Sequence, residues 1–261
     1  GPAVWRRLRE RLDEMVAEVD RQAGIAAQTI LAEAEPVTRT AQDWKEEPRG
    51  WDPGAARSMA FDIARFLTEL AVRRDGAAAW VGADASDDGK ALEPRVLTDG
   101  LYGGNAGIAL FLAACFRAGG ETAWRDLALE ALAAPRYRIA AGDPMGIGGF
   151  DGLGGLVYAF SRIARLLEAP ELLDDARRAA ARIDREAVAA DRALDVIGGS
   201  AGGVLGLLSL HRETGEAAVL ERAVACGRHI PTSPTGDDTG GRGWRGIAER
   251  PLAGFSHGAA G

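Results

Sequence analysis

The chain has 261 residues, 47% of them hydrophobic, which is enough for one large domain or two small ones with a sizeable core. A net charge of -7 and a pI near 5.2 exclude the basic footprint of a nucleic-acid binder. Two distant cysteines, Cys115 and Cys226, with no C-x-x-C, exclude a disulfide framework and a zinc knuckle and fit a reducing cytoplasm, and no apolar run reaches the ~18 residues of a membrane helix.

In chain order, residues 3–34 predict a long amphipathic helix, with Trp5, Leu8, Leu12, Met15, Val16 and Val19 on one stripe and Pro36 ending it. Residues 36–51 are polar, carry Trp44 and Trp51, and read as a linker. Asp52-Pro53 is a helix start, an N-cap followed by proline at the first helical position. That helix is expected to run to about Arg74 with Met59, Ile63, Phe66, Leu67 and Leu70 facing the core. Residues 79–99 predict two short extended pieces around the Asp87-Asp-Gly89 turn. The expected organisation is a helix and linker over 1–51 and one helical domain over 52–261.

From Leu101 a repeat sets in. Gly104-Asn-Ala-Gly107, Gly152-Leu-Gly-Gly155, Gly199-Ser-Ala-Gly202 and Gly258-Ala-Ala-Gly261 each stand where an apolar helix should open, at spacings of 48, 47 and 59 residues. After each of the first three, an apolar helix is followed by a polar-faced one, the second of these spanning Pro170 to Ala189. A helix apolar nearly all round needs cover on every side, whereas an amphipathic one needs it on one face. Stacked pairs therefore predict an all-α fold, an α/α toroid with buried inner helices, an outer layer facing water, and the glycine turns gathered at one end. Glycines in such turns are also what tight bends and close helix contacts require.

Leu101-Tyr-Gly-Gly-Asn-Ala-Gly107, Gly148-Gly-Phe-Asp-Gly-Leu-Gly-Gly155, Leu194-Asp-Val-Ile-Gly-Gly-Ser-Ala-Gly202 and Gly254-Phe-Ser-His-Gly-Ala-Ala-Gly261 together resemble the cyclase domain of class II lanthionine synthetases, the LanM group of the LanC-like superfamily. The resemblance covers roughly residues 55–261, and residues 1–51 look like the junction from a dehydratase domain. It implies a bacterial cytoplasmic protein of lanthipeptide (lantibiotic) biosynthesis. In that family a zinc-bound peptide cysteine adds to a dehydroalanine or dehydrobutyrine of the same peptide, closing a thioether ring. A metal makes the thiol a thiolate at neutral pH, and a positioned imidazole suits protonation of the resulting enolate.

Two residues match the family's catalytic positions: Asp195, in Asp-x-x-x-Gly-x-x-Gly, and His257, in Ser-His-Gly. Read by themselves, Asp195 is equally a helix N-terminal carboxylate and His257 a turn histidine bonded to backbone. The family's zinc ligands, a cysteine and a Cys-His pair, match nothing in this sequence; the resemblance implies that they lie beyond Gly261, with the chain truncated at both ends and inactive alone. Cys115 and Cys226 read as packing thiols, and His211 and His229 match no motif. The expected partners are a precursor peptide, the dehydratase domain and the rest of the cyclase domain. Two alternatives stand beside this one. The first is a non-catalytic α/α scaffold that binds a peptide or partner domain. The second is a glycoside-acting α/α barrel using Asp151 or Asp195, disfavoured by turns short of the aromatic platforms and facing carboxylates such sites need.

Overall fold

The computed structural model describes residues 52–85, 92–232, 235–236, 242–244, 252 and 254–258. The helix expected over 3–34, the linker after it, the turn at Asp87–Gly89 and the helix expected after Gly258 lie outside these residues. The elements run α1 (Pro53–Leu70), β1 (Val72–Arg74), β2 (Ala77–Ala79), β3 (Val81–Ala85), β4 (Leu92–Val96), α2 (Asn105–Gly119), α3 (Thr122–Ala131), α4 (Ala133–Ala141), α5 (Leu153–Leu167), α6 (Leu172–Ala181), α7 (Arg185–Ala190), α8 (Ser200–Thr214) and α9 (Ala217–His229), followed by a short pair, β5 (Thr235–Gly236) and β6 (Arg242–Gly243). Among the described residues no helix is long and apolar enough to cross a membrane.

The chain forms two compact units. In the first, whose described residues are 52–59, 80–85 and 92–97, β3 and β4 pair antiparallel from Val81↔Val96 to Ala85↔Leu92. Leu97 N extends the pairing by donating to Trp80 O at 2.8 Å. These are the two extended pieces the sequence predicts.

The second unit, whose described residues fall within 60–79 and 98–258, is the mainly helical body, with the β1–β2 and β5–β6 pairs attached. Its inner layer places α5 between α2 and α8, and its outer layer sets α3 on α2, α6 on α5 and α9 on α8. The outer helices bury one stripe each at helical spacing: Trp124, Leu127, Ala128 and Ala131 on α3; Leu172, Ala176 and Ala179 on α6; Val219, Ala223 and Cys226 on α9. The inner helix α5 is buried nearly all round, as its composition requires. The flanking α2 and α8 are not. Ile108 and Phe111 are only half-buried and Leu205 is 49% exposed, because each of these helices has an inner neighbour on one side only among the described residues.

Several expected boundaries move. α1 ends at Leu70 rather than near Arg74, since Asp75 and Gly76 both take positive φ (52° and 76°) and close a two-residue hairpin between β1 and β2. Its packed stripe is also rotated. Met59, Ile63 and Phe66 are exposed, whereas Ala64 is buried and Phe61 lies against Trp124 with ring centroids 5.0 Å apart. The small face of the helix allows the closest approach: Cys115 Sγ sits 3.9 Å from the Ala60 carbonyl. The polar-faced helix expected over 170–189 is two helices, α6 and α7, because Asp184 caps a new start by accepting from Ala187 N at 2.8 Å. α4 is an additional helix, with Pro135 in its first turn, where its missing N–H costs nothing.

The inner helices meet through glycine. A Cβ at Gly206 of α8 would overlap the Gly154 carbonyl of α5, and one at Gly202 would overlap the Gly149 nitrogen. Gly206→Ala is therefore expected to cost about 2 kcal/mol or more by overpacking. Gly227→Ala on exposed α9, with nothing within 4 Å of the new methyl, should instead gain ~0.5–1 kcal/mol. Urea melts of the two variants read the difference.

Candidate functional site

The turns before the inner helices share one backbone form. Asn105 N donates to Thr98 O and Leu153 N to Gly146 O, both at 2.8 Å, while Gly107 N, Gly155 N and Gly202 N donate to the carbonyls of Gly100, Gly148 and Asp195 at 3.4, 3.0 and 3.2 Å. Parallel bridges join Thr98 to Gly104 and, in the fourth turn, Leu252 to Gly258. Backbone bonds then lace each turn to the next: Leu101 N and Tyr102 N to Phe150 O (2.6 and 3.4 Å), Gly149 N to Val196 O (3.0 Å) and Phe150 N to Ile197 O (3.1 Å), and Ile197 N to Ser256 O (3.3 Å). The last of these brings the fourth turn to the third.

Counting back from Gly104, Gly152, Gly199 and Gly258, the residue four before is Gly100, Gly148, Asp195 and Gly254. The residue one before is Gly103, Asp151, Gly198 and His257. The lacing sets the first kind in one turn against the second kind in the next. A Cβ at Gly100 would stand 2.9 Å from Asp151 Oδ1, and one at Gly148 would run into the backbone of Gly198. Between the third and fourth turns both positions carry side chains, and Asp195 Oδ2 lies 2.7 Å from His257 Nδ1. The sequence candidates, 62 residues apart, meet.

Asp195 is buried and His257 is partly open, with side-chain exposures of 5% and 33%. Asp195 Oδ1 accepts from Gly198 N at 2.7 Å, so both carboxylate oxygens are held. A carboxylate accepts only, so His257 Nδ1–H donates to it and Nε2 is left as the ring's working nitrogen. That nitrogen can take a proton while Asp195 balances the charge, or deliver one to a neighbouring atom. Asp151, by contrast, belongs to the junction of the first and second turns, and Asp195 faces an imidazole rather than a second carboxylate.

Capping at α8 falls to Asp191, which sequence reasoning passed over. Its Oδ2 accepts from Ser200 N (2.7 Å) and Ser200 Oγ (2.6 Å). Its Oδ1 accepts from Ala193 N (2.9 Å) and Leu194 N (3.4 Å). These bonds hold Leu194 at φ 61°, a left-handed conformation costly for a side chain of this kind, immediately before Asp195. The available signal was an aspartate directly after a helix end, able to bond the backbone two residues on.

The other histidines bond to backbone: His211 Nδ1 lies 3.0 Å from Glu216 O and His229 Nε2 lies 3.1 Å from Asp191 O. Both thiols are buried away from the pair, Cys115 on α2 and Cys226 on α9 facing Gly203 of α8. Burial pushes both up, and for Cys226 the charge of Asp191 adds to it, to about 11. Among the described residues no three of His, Cys, Asp and Glu gather as a metal site. The pair offers two donors, one already committed to the other, so these residues do not fit a zinc centre.

A protein-family model described as "Lanthionine synthetase C-like protein" matches residues 95–261. No curated protein matches the chain. A solved structure described as "UGL_D88N/dGlcA-Glc-Rha-Glc" is similar at 18% identity with a TM-score of 0.46; the match takes in 74% of this chain and 61% of that one.

Two outcomes follow. Asp191→Ala should lower stability by about 2 kcal/mol or more, since it strands several donors at once, while Asp191→Asn, which keeps acceptor oxygen, should cost less; thermal melts compare them. Cys226 in the folded chain holds its proton above the ordinary 9.0, so between pH 9 and about 11 the unfolded state releases a proton that the folded state keeps. Stability should fall as pH rises through that window, and Cys226→Ala should remove that part of the decline in chemical denaturation at pH 8, 9.5 and 11.

Proposed function

The chain belongs to the lanthionine synthetase C-like family, and from that premise we propose that it works as the cyclase of a class II, LanM-type lanthionine synthetase. The substrate is a dehydrated precursor peptide and the product a lanthionine or methyllanthionine thioether. What carries the reading is the 2.7 Å contact between Asp195 and a part-exposed His257 at the end of the inner helices.

In the proposed reaction the thiol S–H adds across the Cα=Cβ bond of a dehydro residue. The sulfur–Cβ bond forms, the π electrons pass to the Cα–carbonyl unit, and Cα takes a proton. His257 Nε2 first takes the proton from the incoming thiol and then delivers one to Cα, so the addition is balanced with no outside acid or base. Asp195 keeps Nδ1 protonated, orients the ring and stabilises the imidazolium between the two transfers. The resemblance implies a zinc ion that would make the thiol a thiolate; its ligands would come from outside the described residues, and none of His257's steps runs through it. A dehydratase domain acting first on the same peptide is the partner this reading requires.

The test incubates the full-length protein with a dehydrated precursor peptide and follows loss of alkylatable thiol by mass spectrometry. His257→Ala should slow ring closure by about 10²- to 10⁴-fold, and Asp195→Asn by about 10²-fold. Wild-type rates in both variants would remove the site assignment. Peptide binding without ring formation by the wild-type protein would favour the scaffold reading instead.

A further inference from the structure

Beside the Asp195–His257 pair lies a cavity of about 330 Å³, within the ~300–1,000 Å³ range of small-ligand sites. Its side-chain walls are Leu101, Phe150, Tyr158, Val196, Leu205 and Phe255, completed by glycine backbone, and none of the described residues that line it is charged. Its construction follows the repeat. Leu101, Gly149, Val196 and Phe255 all stand three before the cap glycine of their turns, so all four turns contribute the same position to one cavity. The same third and fourth turns carry the pair, at adjacent positions: Val196 follows Asp195, and Phe255 precedes His257 by two. Val196 is buried, while among the described residues Leu205 and Phe255 are 49% and 58% exposed.

We propose that this cavity is a specificity subsite taking an aliphatic or aromatic side chain of the substrate peptide next to the reacting residue. This rests on the peptide-cyclase reading of the pair. Apolar walls reward an apolar side chain for leaving water, and a charged one entering them would lose its hydration with no partner to replace it. Val196 and Phe255 stand one and two residues from Asp195 and His257 on the same two turns, so the side chain that enters belongs to a residue close to the thiol at His257.

The probes are fluorescein-labelled model peptides with serine in place of the reacting cysteine and leucine, phenylalanine, aspartate or lysine beside it. Anisotropy with the full-length protein should give the leucine and phenylalanine peptides at least about 10-fold lower Kd than the charged ones. Leu205→Asp in the wall should erase that preference and favour lysine, and Phe255→Ala should weaken it. Leu220→Asp, on exposed α9 away from the cavity, should leave it unchanged, and circular dichroism confirms that each variant is folded. Equal affinities for all four peptides, or a preference that Leu205→Asp leaves intact, would overturn the proposal. The cysteine forms of the same peptides, with a dehydroalanine placed for ring closure, separate the two readings. Apolar selectivity in binding without ring formation would sink the cyclase and keep the subsite. Ring formation at equal kcat/KM for apolar and charged peptides would keep the cyclase and sink the subsite.

Discussion

Backbone packed against backbone, with no room for a Cβ, is the constraint on which the second unit depends. At Gly206 and Gly154 two inner helices touch main chain to main chain, and at Gly202 and Gly149 a helix start touches the preceding turn. Contacts this close let each turn's N–H reach the next turn's carbonyl, from Leu101 to Phe150, Phe150 to Ile197 and Ile197 to Ser256. The helices supply burial and the glycines supply distance. Together they bring residues from widely separated parts of the chain to a common edge with their order preserved.

On that edge the repeat distributes roles by position. Three before the cap glycine, the residues are apolar or glycine and wall a cavity. Four before and one before, they face one another across neighbouring turns, and only between the third and fourth turns do both have side chains, which meet. Asp191 does the capping at that helix start, which leaves Asp195 free to hold an imidazole. One aspartate holds the backbone and the other holds a histidine.

Much of this was legible in the sequence because it rests on spacing. The four glycine turns announced the inner helices, and the first three open at Asn105, Leu153 and Ser200. The pairing of apolar with amphipathic helices announced two layers. Asp195 and His257 were visible through a resemblance, but their contact depends on lacing bonds between distant carbonyls and N–H groups, which no local pattern encodes. The Asp75-Gly76 hairpin was hidden because the helical pattern of α1 runs into it, and the α1 stripe was misjudged because hydrophobicity favoured Met59, Ile63 and Phe66 over the small face of Ala60 and Ala64 that can approach α2. The break at Asp184 shows the same limit: a cap interrupts a polar-faced run without changing its composition.

Leu194, held at φ 61° beside the pair, ties the pair to α8 and α9. A left-handed leucine does not persist in a short peptide; it needs Asp191, whose carboxylate binds the start of α8 and whose carbonyl binds His229 at the end of α9. The turn that presents Asp195 is therefore tied to both helices at once. The contact between Asp195 and His257 depends on bonds that neither helix makes alone.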